Sequence, residues 1–264
     1  MNFMHVSKDS QLVEPVDFGT RVLDATGMIV GRHPDLEEFV DAKARDVVMK
    51  IAERVRQEFG TNASLAGLKY KGIPAMLAKA VSGDYPRLVQ HMGGTSIIAR
   101  KLAIGMGLST KEVDDITQGG LIHDLGKIDP QIRGLIDFEG KLDQGGKNVV
   151  AWHPEMGARI GELLSLDDST VKMIRGHHQR FDHDGYVAQG SEEVEIPSSI
   201  VQVADALDAM IKKRPGREPR SIDAIVHAIR ESAGSHFHPD VAEAFLNDPE
   251  AILRSTPVLG RMPT

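Results

Sequence analysis

The sequence predicts an all-α protein, and three observations carry that prediction. Leu, Ile, Val, Ala and Met recur at three- and four-residue intervals over long stretches, the period of one buried helix face. Alternating runs of β-branched residues, which would mark half-buried strands, are scarce. Helix punctuation recurs down the chain. Ser109 with Glu112 makes a capping-box pattern, and Pro34, Pro154 and Pro197 stand at or near expected helix starts.

Taken in order, residues 1 to about 31 are short and mixed, with a small hairpin expected over Arg21–Val30 around Gly27. Leu36, Phe39, Val40, Ala44, Val47, Ile51 and Val55 then mark one helix, with acidic residues in its first turn and Gly60 as its cap. Residues 61–83 hold several glycines and a proline, and read as a short helix and a connector. A boundary near residue 80 separates a small N-terminal module, 1–80, from a main domain, 81–264. In that domain a helix is expected from about Tyr85 to Met106, and another from Ser109 to near Gly126. A Gly-rich loop covers Asp137 to Lys147. Helices follow at about 150–165 and 169–178, then a polar loop over 179–195. The strongest late helix runs from about Pro197 to Lys213, with Ile200, Val203, Leu207, Met210 and Ile211 on its apolar side. Two or three shorter helices close the chain, which has no internal repeat and no low-complexity tract.

Length and composition bound the function. The 264 residues suit one large domain, or one moderate domain with a small partner. A net charge of −7 with no Lys/Arg block argues against a duplex nucleic-acid partner, while a small anion can still bind in a locally positive cleft. The absence of cysteine excludes disulfides and thiolate metal sites and fits a reducing compartment. Imidazole and carboxylate remain as metal ligands. No signal-peptide pattern opens the sequence, and no run of about 18 apolar residues is long enough to span a bilayer. The expected location is cytoplasmic, with no membrane partner.

Those ligand types occur in a suggestive order: His91, His123-Asp124, His153, His177-His178 and Asp205. Alone, each has a plain reading. His123-Asp124 suits a helix end with a surface Asp, His177-His178 a solvated helix end, and His153 a structural histidine beside Pro154. Neighbours on a helix point about 100° apart and do not ordinarily converge. A bridging Asp124 relaxes that limit by holding two metals while His123 holds one. Asp205 is the most informative single residue, because a carboxylate in the apolar run Val203–Leu207 needs a cation or several donors. Asp208 either supports a ligand from behind or pairs with Arg214.

The string His123-Asp124-Leu125-Gly126-Lys127 resembles the signature of the HD superfamily of metal-dependent phosphohydrolases. The string from His177-His178-Gln179 through Asp182-His183-Asp184-Gly185-Tyr186 resembles the second signature of its HD-GYP branch. The order of His91, His153 and Asp205 matches that branch, as do Arg214, Arg217 and Phe237-His238-Pro239-Asp240, so the resemblance covers about residues 80–250. It implies an all-helical HD-type domain that hydrolyses cyclic di-GMP to the linear dinucleotide or GMP. It also implies two divalent metal ions, iron or manganese. His91, His123, Asp124 and Asp205 would bind one, and Asp124 (bridging), His153, His177 and His178 the other.

Several positions depart from the family. Val187 stands for the Pro of Gly-Tyr-Pro, Gln179 for a Glu after the histidine pair, and His183 for a Gly after the loop Asp. Arg87 stands one turn before His91, where members with a third metal carry a Glu, and this argues for two metals. None of these changes removes a ligand, so they bear on substrate preference.

Two metals about 3.5–4 Å apart suit phosphodiester hydrolysis, activating water near neutral pH and offsetting charge on the phosphoryl oxygens. Asp124 and Lys127 are the expected catalytic residues, with Lys127 steadying the phosphate or protonating the leaving oxygen. Lys127, Arg214, Arg217 and Tyr186 are expected at the substrate, where paired N–H donors of the arginines suit a second phosphate. The plain readings of these four are an exposed lysine, a basic surface turn and a packed loop tyrosine. His183, His227, His236 and His238 read as surface or cap residues. Competing functions are an HD-fold phosphohydrolase for a different nucleotide, a di-iron oxygenase, and a non-catalytic signalling module. Expected partners are a cyclic dinucleotide, a second copy of the chain through the helix after Pro34, and a cyclase.

Overall fold

A computed structural model of the protein describes residues 3–6, 12–16, 34–59, 73–138, 140–183, 194–213 and 218–254. Helices dominate them. A two-stranded antiparallel ribbon, β1 (Phe3–Val6) with β2 (Leu12–Val16), pairs Phe3 with Val16 and Val6 with Leu12. The hairpin expected over Arg21–Val30 lies outside the described residues, so this ribbon is a different element. The expected helix after Pro34 is α1 (Pro34–Phe59), and the short helix before residue 83 is α2 (Ile73–Val81).

The main run of helices begins with α3 (Pro86–Gly105) and α4 (Thr110–Ile122). Gly107, at φ +73°, makes the turn between them in the left-handed region that side chains disfavour. Both halves of the capping box form at α4: the Ser109 hydroxyl accepts from Glu112 N, and Ser109 N donates to the Glu112 carboxylate at 2.8 Å.

The helix expected to reach Gly126 stops at Ile122, and Leu125–Ile128 form a separate 3₁₀ turn. Packing is the reason. A Cβ on Gly126 would overlap the carbonyl of His153 and lie 2.7 Å from Gly157 N. The turn therefore leaves the helix axis and lies backbone to backbone on α7 (His153–Leu163). Between them, α5 (Pro130–Ile136) was not expected, although Asp129-Pro130 is a helix-start signal. Asp129 Oδ1 accepts from Gln131 N and Ile132 N. The expected loop over Asp137–Lys147 is shorter, because α6 (Gln144–Val150) begins inside it, capped by Asp143 on Gly146 N at 2.7 Å. One N-cap here outweighs the poor helix propensity of two glycines. After α8 (Asp168–Gly176) and α9 (Ile196–Ile211) come α10 (Ile222–Ser232), α11 (Pro239–Asn247) and α12 (Pro249–Leu253).

Two apolar cores hold these helices. Ala44, Val47, Ile51 and Val55 of α1 join Leu77, Met92, Leu125, Met156, Ile160 and Ile174 in the first. Ile98, Leu102, Ile116, Met173, Ile200, Val203, Leu207 and Phe245 belong to the second. Fully burying each of the larger of these side chains contributes roughly 1.5–3 kcal/mol. An ion-pair cluster adds to the first core: Arg159 Nη2 donates to Asp41 of α1 at 2.7 Å, and Arg175 Nη2 donates to Glu162 at 2.8 Å. Neighbouring positions go to different cores, Met173 to one and Ile174 to the other. The segments that carry His123, His177 and Asp205 therefore run along the seam.

Candidate metal centre

All seven expected metal ligands meet at this seam. His91, His123 and Asp205 form one group, and Asp124, His153, His177 and His178 an adjoining one, each with its ligand atoms within 4.8 Å of one another. Asp124 faces both. Its Oδ2 lies 3.4 Å from His91 Nε2 and 3.5 Å from His123 Nε2, and its Oδ1 lies 3.2 Å from His153 Nε2 and 3.6 Å from His177 Nε2. Asp205 Oδ1 completes the first group, 3.0 Å from His91 Nε2. The adjacent pairs converge because each straddles a helix end. His123 caps α4 and His177 caps α8, so Asp124 and His178 follow on backbone that has left the helix.

The same helix ends orient three of the imidazoles. The last carbonyls of a helix have no intrahelical partner. Gly120 O of α4, Val150 O of α6 and Ile174 O of α8 accept instead from Nδ1 of the histidine three residues on: His123, His153 and His177, at 2.8, 2.8 and 2.6 Å. With the proton on Nδ1, each Nε2 presents a bare lone pair to the site. His91 sits inside α3, where the carbonyls behind it are engaged in the helix. Its Nδ1 meets a carboxylate of another helix, Asp208 Oδ2 at 2.6 Å. Carbonyl and carboxylate partners of this kind typically fix metal-ligating histidines.

Electrostatics leave the set ready for cations. Burial pushes His123 down to about 4 despite Asp124, and pushes His153 down to about 4 with Lys127 adding to it. Burial, with His177 and His153 nearby, also holds His178 well below the usual imidazole range. These rings are neutral at pH 7. Burial alone would raise Asp124 and Asp205, but Lys127 and His123 hold Asp124 well below the usual carboxylate range, and His91 does the same for Asp205. For His91 burial favours the neutral ring, yet hydrogen bonds to Asp124, Asp205 and Asp208 together raise it well above the ordinary value.

The residues present fit a metal pair. His123 Nε2 and Asp124 Oδ1 are buried and without a hydrogen-bond partner, a costly arrangement unless a cation takes their lone pairs. Five imidazoles and two carboxylates with no thiolate suit a first-row divalent ion. Asp124 is placed to share its two oxygens between the groups.

Lys127 belongs to the site: on the 3₁₀ turn and partly buried, its Nζ donates to Asp124 Oδ2 at 2.6 Å. Arg214, Arg217 and Tyr186 lie outside the described residues, as does Val187. Arg87, in the position of a third-metal ligand, is exposed. His238 caps α11 as expected, accepting from Asp240 N at 3.3 Å, and His236 lies 3.0 Å from Arg180 Nη1. Beyond the histidine pair, Arg180 and Asp182 pair at 2.8 Å, while Phe181 N and Asp182 N donate to His236 O and Ser235 O. His183, where the family has Gly, adopts φ +61°. The left-handed region penalises a Cβ and favours glycine. Lys212 also stands behind the site: the only sequence signal for it is its position four residues after Asp208, the spacing of a helical ion pair, and its Nζ lies 2.8 Å from Asp208 Oδ1.

Residues 88–210 match the family model described as HD domain. This is an HD domain of the HD-GYP branch. A cyclic di-GMP phosphodiesterase of Thermotoga maritima is 31% identical over 203 residues, which are 74% of this chain and 53% of that protein. A 3'3'-cGAMP-specific phosphodiesterase 2 of Vibrio cholerae is 28% identical, over 64% of this chain and 33% of that protein. The chain thus spans about half the length, or less, of these relatives. Among solved structures, the HDG"Y"P protein Bd1817 of Bdellovibrio bacteriovorus superposes with a TM-score of 0.52 at 15% identity, over 80% of this chain and 72% of that one. The HD-GYP domain shares that fold. No helix among the described residues is long and apolar enough to cross a membrane.

Proposed function

We propose that this HD-GYP domain is a cyclic di-GMP phosphodiesterase that uses two divalent metal ions, iron or manganese. The observation that carries the reading is Asp124, whose two oxygens face two separate imidazole groups across a buried seam. His91, His123, Asp124 and Asp205 would hold one ion, and Asp124, His153, His177 and His178 the other. When bound, the two ions would supply Lewis acidity toward water and phosphate.

The chain's own residues do the rest. The three histidines set on helix ends hold their rings still, so the ligand frame needs little reorganisation as charge develops. Lys127 Nζ, partly exposed beside the fully buried Asp124, donates a hydrogen bond to a phosphoryl oxygen and is the proton source for the leaving oxygen. Arg214 and Arg217 take the second phosphate through paired N–H donors, and Tyr186 packs on or bonds the nucleotide. The enzymatic unit is residues 81–264. The segment 1–80 buttresses the domain, with α1 packed on α7 and α2 on α4 and α3.

The expected compartment is the cytoplasm, in keeping with a cysteine-free chain and a second-messenger substrate. A second copy of the chain, or a cyclase, belongs to the same reading; light scattering of the protein alone and mixed with a cyclase checks both. A second substrate reading, 3'3'-cGAMP, is favoured by the likeness to the Vibrio enzyme. One experiment separates these readings. Purified protein is assayed for bound metal by elemental analysis, then incubated with cyclic di-GMP and with 3'3'-cGAMP and the products identified. Two metals per chain and linear dinucleotide or GMP from cyclic di-GMP is the expected result. Turnover of 3'3'-cGAMP alone would select the second reading, and turnover of neither by metal-loaded protein would sink both.

A further inference from the structure

Behind His91 stands a group of residues that no ligand assignment includes. Asp208, on α9 three residues after Asp205, is fully buried. Its Oδ2 lies 2.6 Å from His91 Nδ1, and its Oδ1 lies 2.8 Å from Lys212 Nζ. Lys212 also donates to the carbonyl of Gln90, the residue before His91, at 3.0 Å. The carboxylate reaches this place only because residue 94 is glycine: a Cβ there would overlap Asp208 Oδ1 and stand 2.9 Å from Lys212 Nζ. Gly94 thus opens a notch in α3, Asp208 fills it, and Lys212 clamps α9 to the backbone beside the ligand.

We propose that Asp208 is a positioning residue that sets metal affinity at the His91–His123–Asp205 group, with Gly94 and Lys212 holding it in place. The inference rests on the two-metal reading above. His123, His153 and His177 are oriented by carbonyls at the ends of the helices that precede them, and the backbone supplies those acceptors whatever happens at Asp208. His91 has no such acceptor. An imidazole fixed by a carboxylate is held in one tautomer and is the more basic ligand, and losing such a partner typically costs 10–100-fold in metal affinity. The loss should therefore fall on one metal of the two.

The test compares Mn(II) binding by wild-type protein, Asp208→Asn, Asp208→Ala and Gly94→Ala, using equilibrium dialysis for stoichiometry and the Mn(II) EPR spectrum for the environment of each ion. Wild type should bind two ions. Asp208→Ala should bind one as tightly as before and the other at least about tenfold more weakly. Asp208→Asn, whose amide oxygen still accepts from Nδ1, should fall between them. Gly94→Ala should show the same one-sided loss while leaving every ligand and Asp208 itself in the sequence, which covers the case of an Asp208→Ala chain that does not fold. Two ions bound with wild-type affinity in Asp208→Ala or in Gly94→Ala would overturn the inference and leave the two-metal reading intact, as would equal weakening of both ions in a variant with wild-type melting. A wild-type chain that binds no Mn(II) or Fe(II) would remove the underlying reading and this inference with it.

Discussion

His123, His153 and His177 point their Nε2 atoms into the site with the help of the helix that each one follows, whereas His91 depends on a residue from a different helix. The first three donate from Nδ1 to a carbonyl three residues back. His91 lies within α3 and takes Asp208 of α9 instead. The difference shows in their chemistry: burial lowers His123 and His153 to about 4, while three carboxylates raise His91 well above its ordinary value. Three rings, His123 of the first group and His153 and His177 of the second, are thus set by local backbone geometry. The His91 ring requires α3 and α9 to be docked correctly.

The largest effect is expected on removing the residue common to both groups. Asp124→Ala should abolish binding of both metals and lower turnover by at least about 10³-fold; elemental analysis and a product assay on one preparation check it. His153→Ala should instead leave one metal per chain, at the His91 side, and a zero count would show that the groups do not load independently. Lys127→Ala sharpens the picture from outside the ligand set. It should keep both metals while kcat falls about 10²-fold, and a change in metal content would place Lys127 in the metal frame rather than at the phosphate.

Acidity separates the two kinds of histidine. In metal-free protein His123 and His153 are neutral when folded and take up protons near pH 6.5 when unfolded. Their contribution to stability is therefore complete above about pH 6.5 and is lost as pH falls toward 4. His91 has the opposite sign. Its contribution is complete below about pH 6.5 and is lost as pH rises through its raised folded value. Urea unfolding in a chelator should show greatest stability near pH 6.5, with a fall on each side. Added metal should remove the alkaline fall, because a cation replaces the proton; an unchanged alkaline limb would disconnect His91 from the metal.

The smallest expected effect is in the loop after the histidine pair. His183→Gly relieves a left-handed backbone and should stabilise the chain by about 1 kcal/mol in thermal unfolding, with no change in metal content. A loss of stability would mean that the His183 side chain makes contacts worth more than the strain.

Much of this was legible in the sequence because the signals were local. The Ser109–Glu112 capping box, the stripe from Ala44 to Val55 and the apolar run around Asp205 each depend on residues within a few turns of one another. The seven ligands could be named because histidine and aspartate at helix ends and in an apolar run need a reason to be there, and the HD-GYP motifs supplied one. The helices α5 and the start of α6 were missed for the opposite reason. Short helices depend on single caps, Asp129 and Asp143, amid residues of poor propensity.

Helix periodicity, which is local, determined a mostly helical protein, and the resemblance of its motifs to the HD-GYP branch singled out seven candidate metal ligands. Only the tertiary structure decided where α4 ends, because the backbone contact of Gly126 with His153 pulls the next turn aside. It alone decided that Asp208 meets His91, through a notch at Gly94 more than a hundred residues away in the chain. Pairings at that separation leave no periodic trace, since they depend on how two helices cross and not on what either one contains.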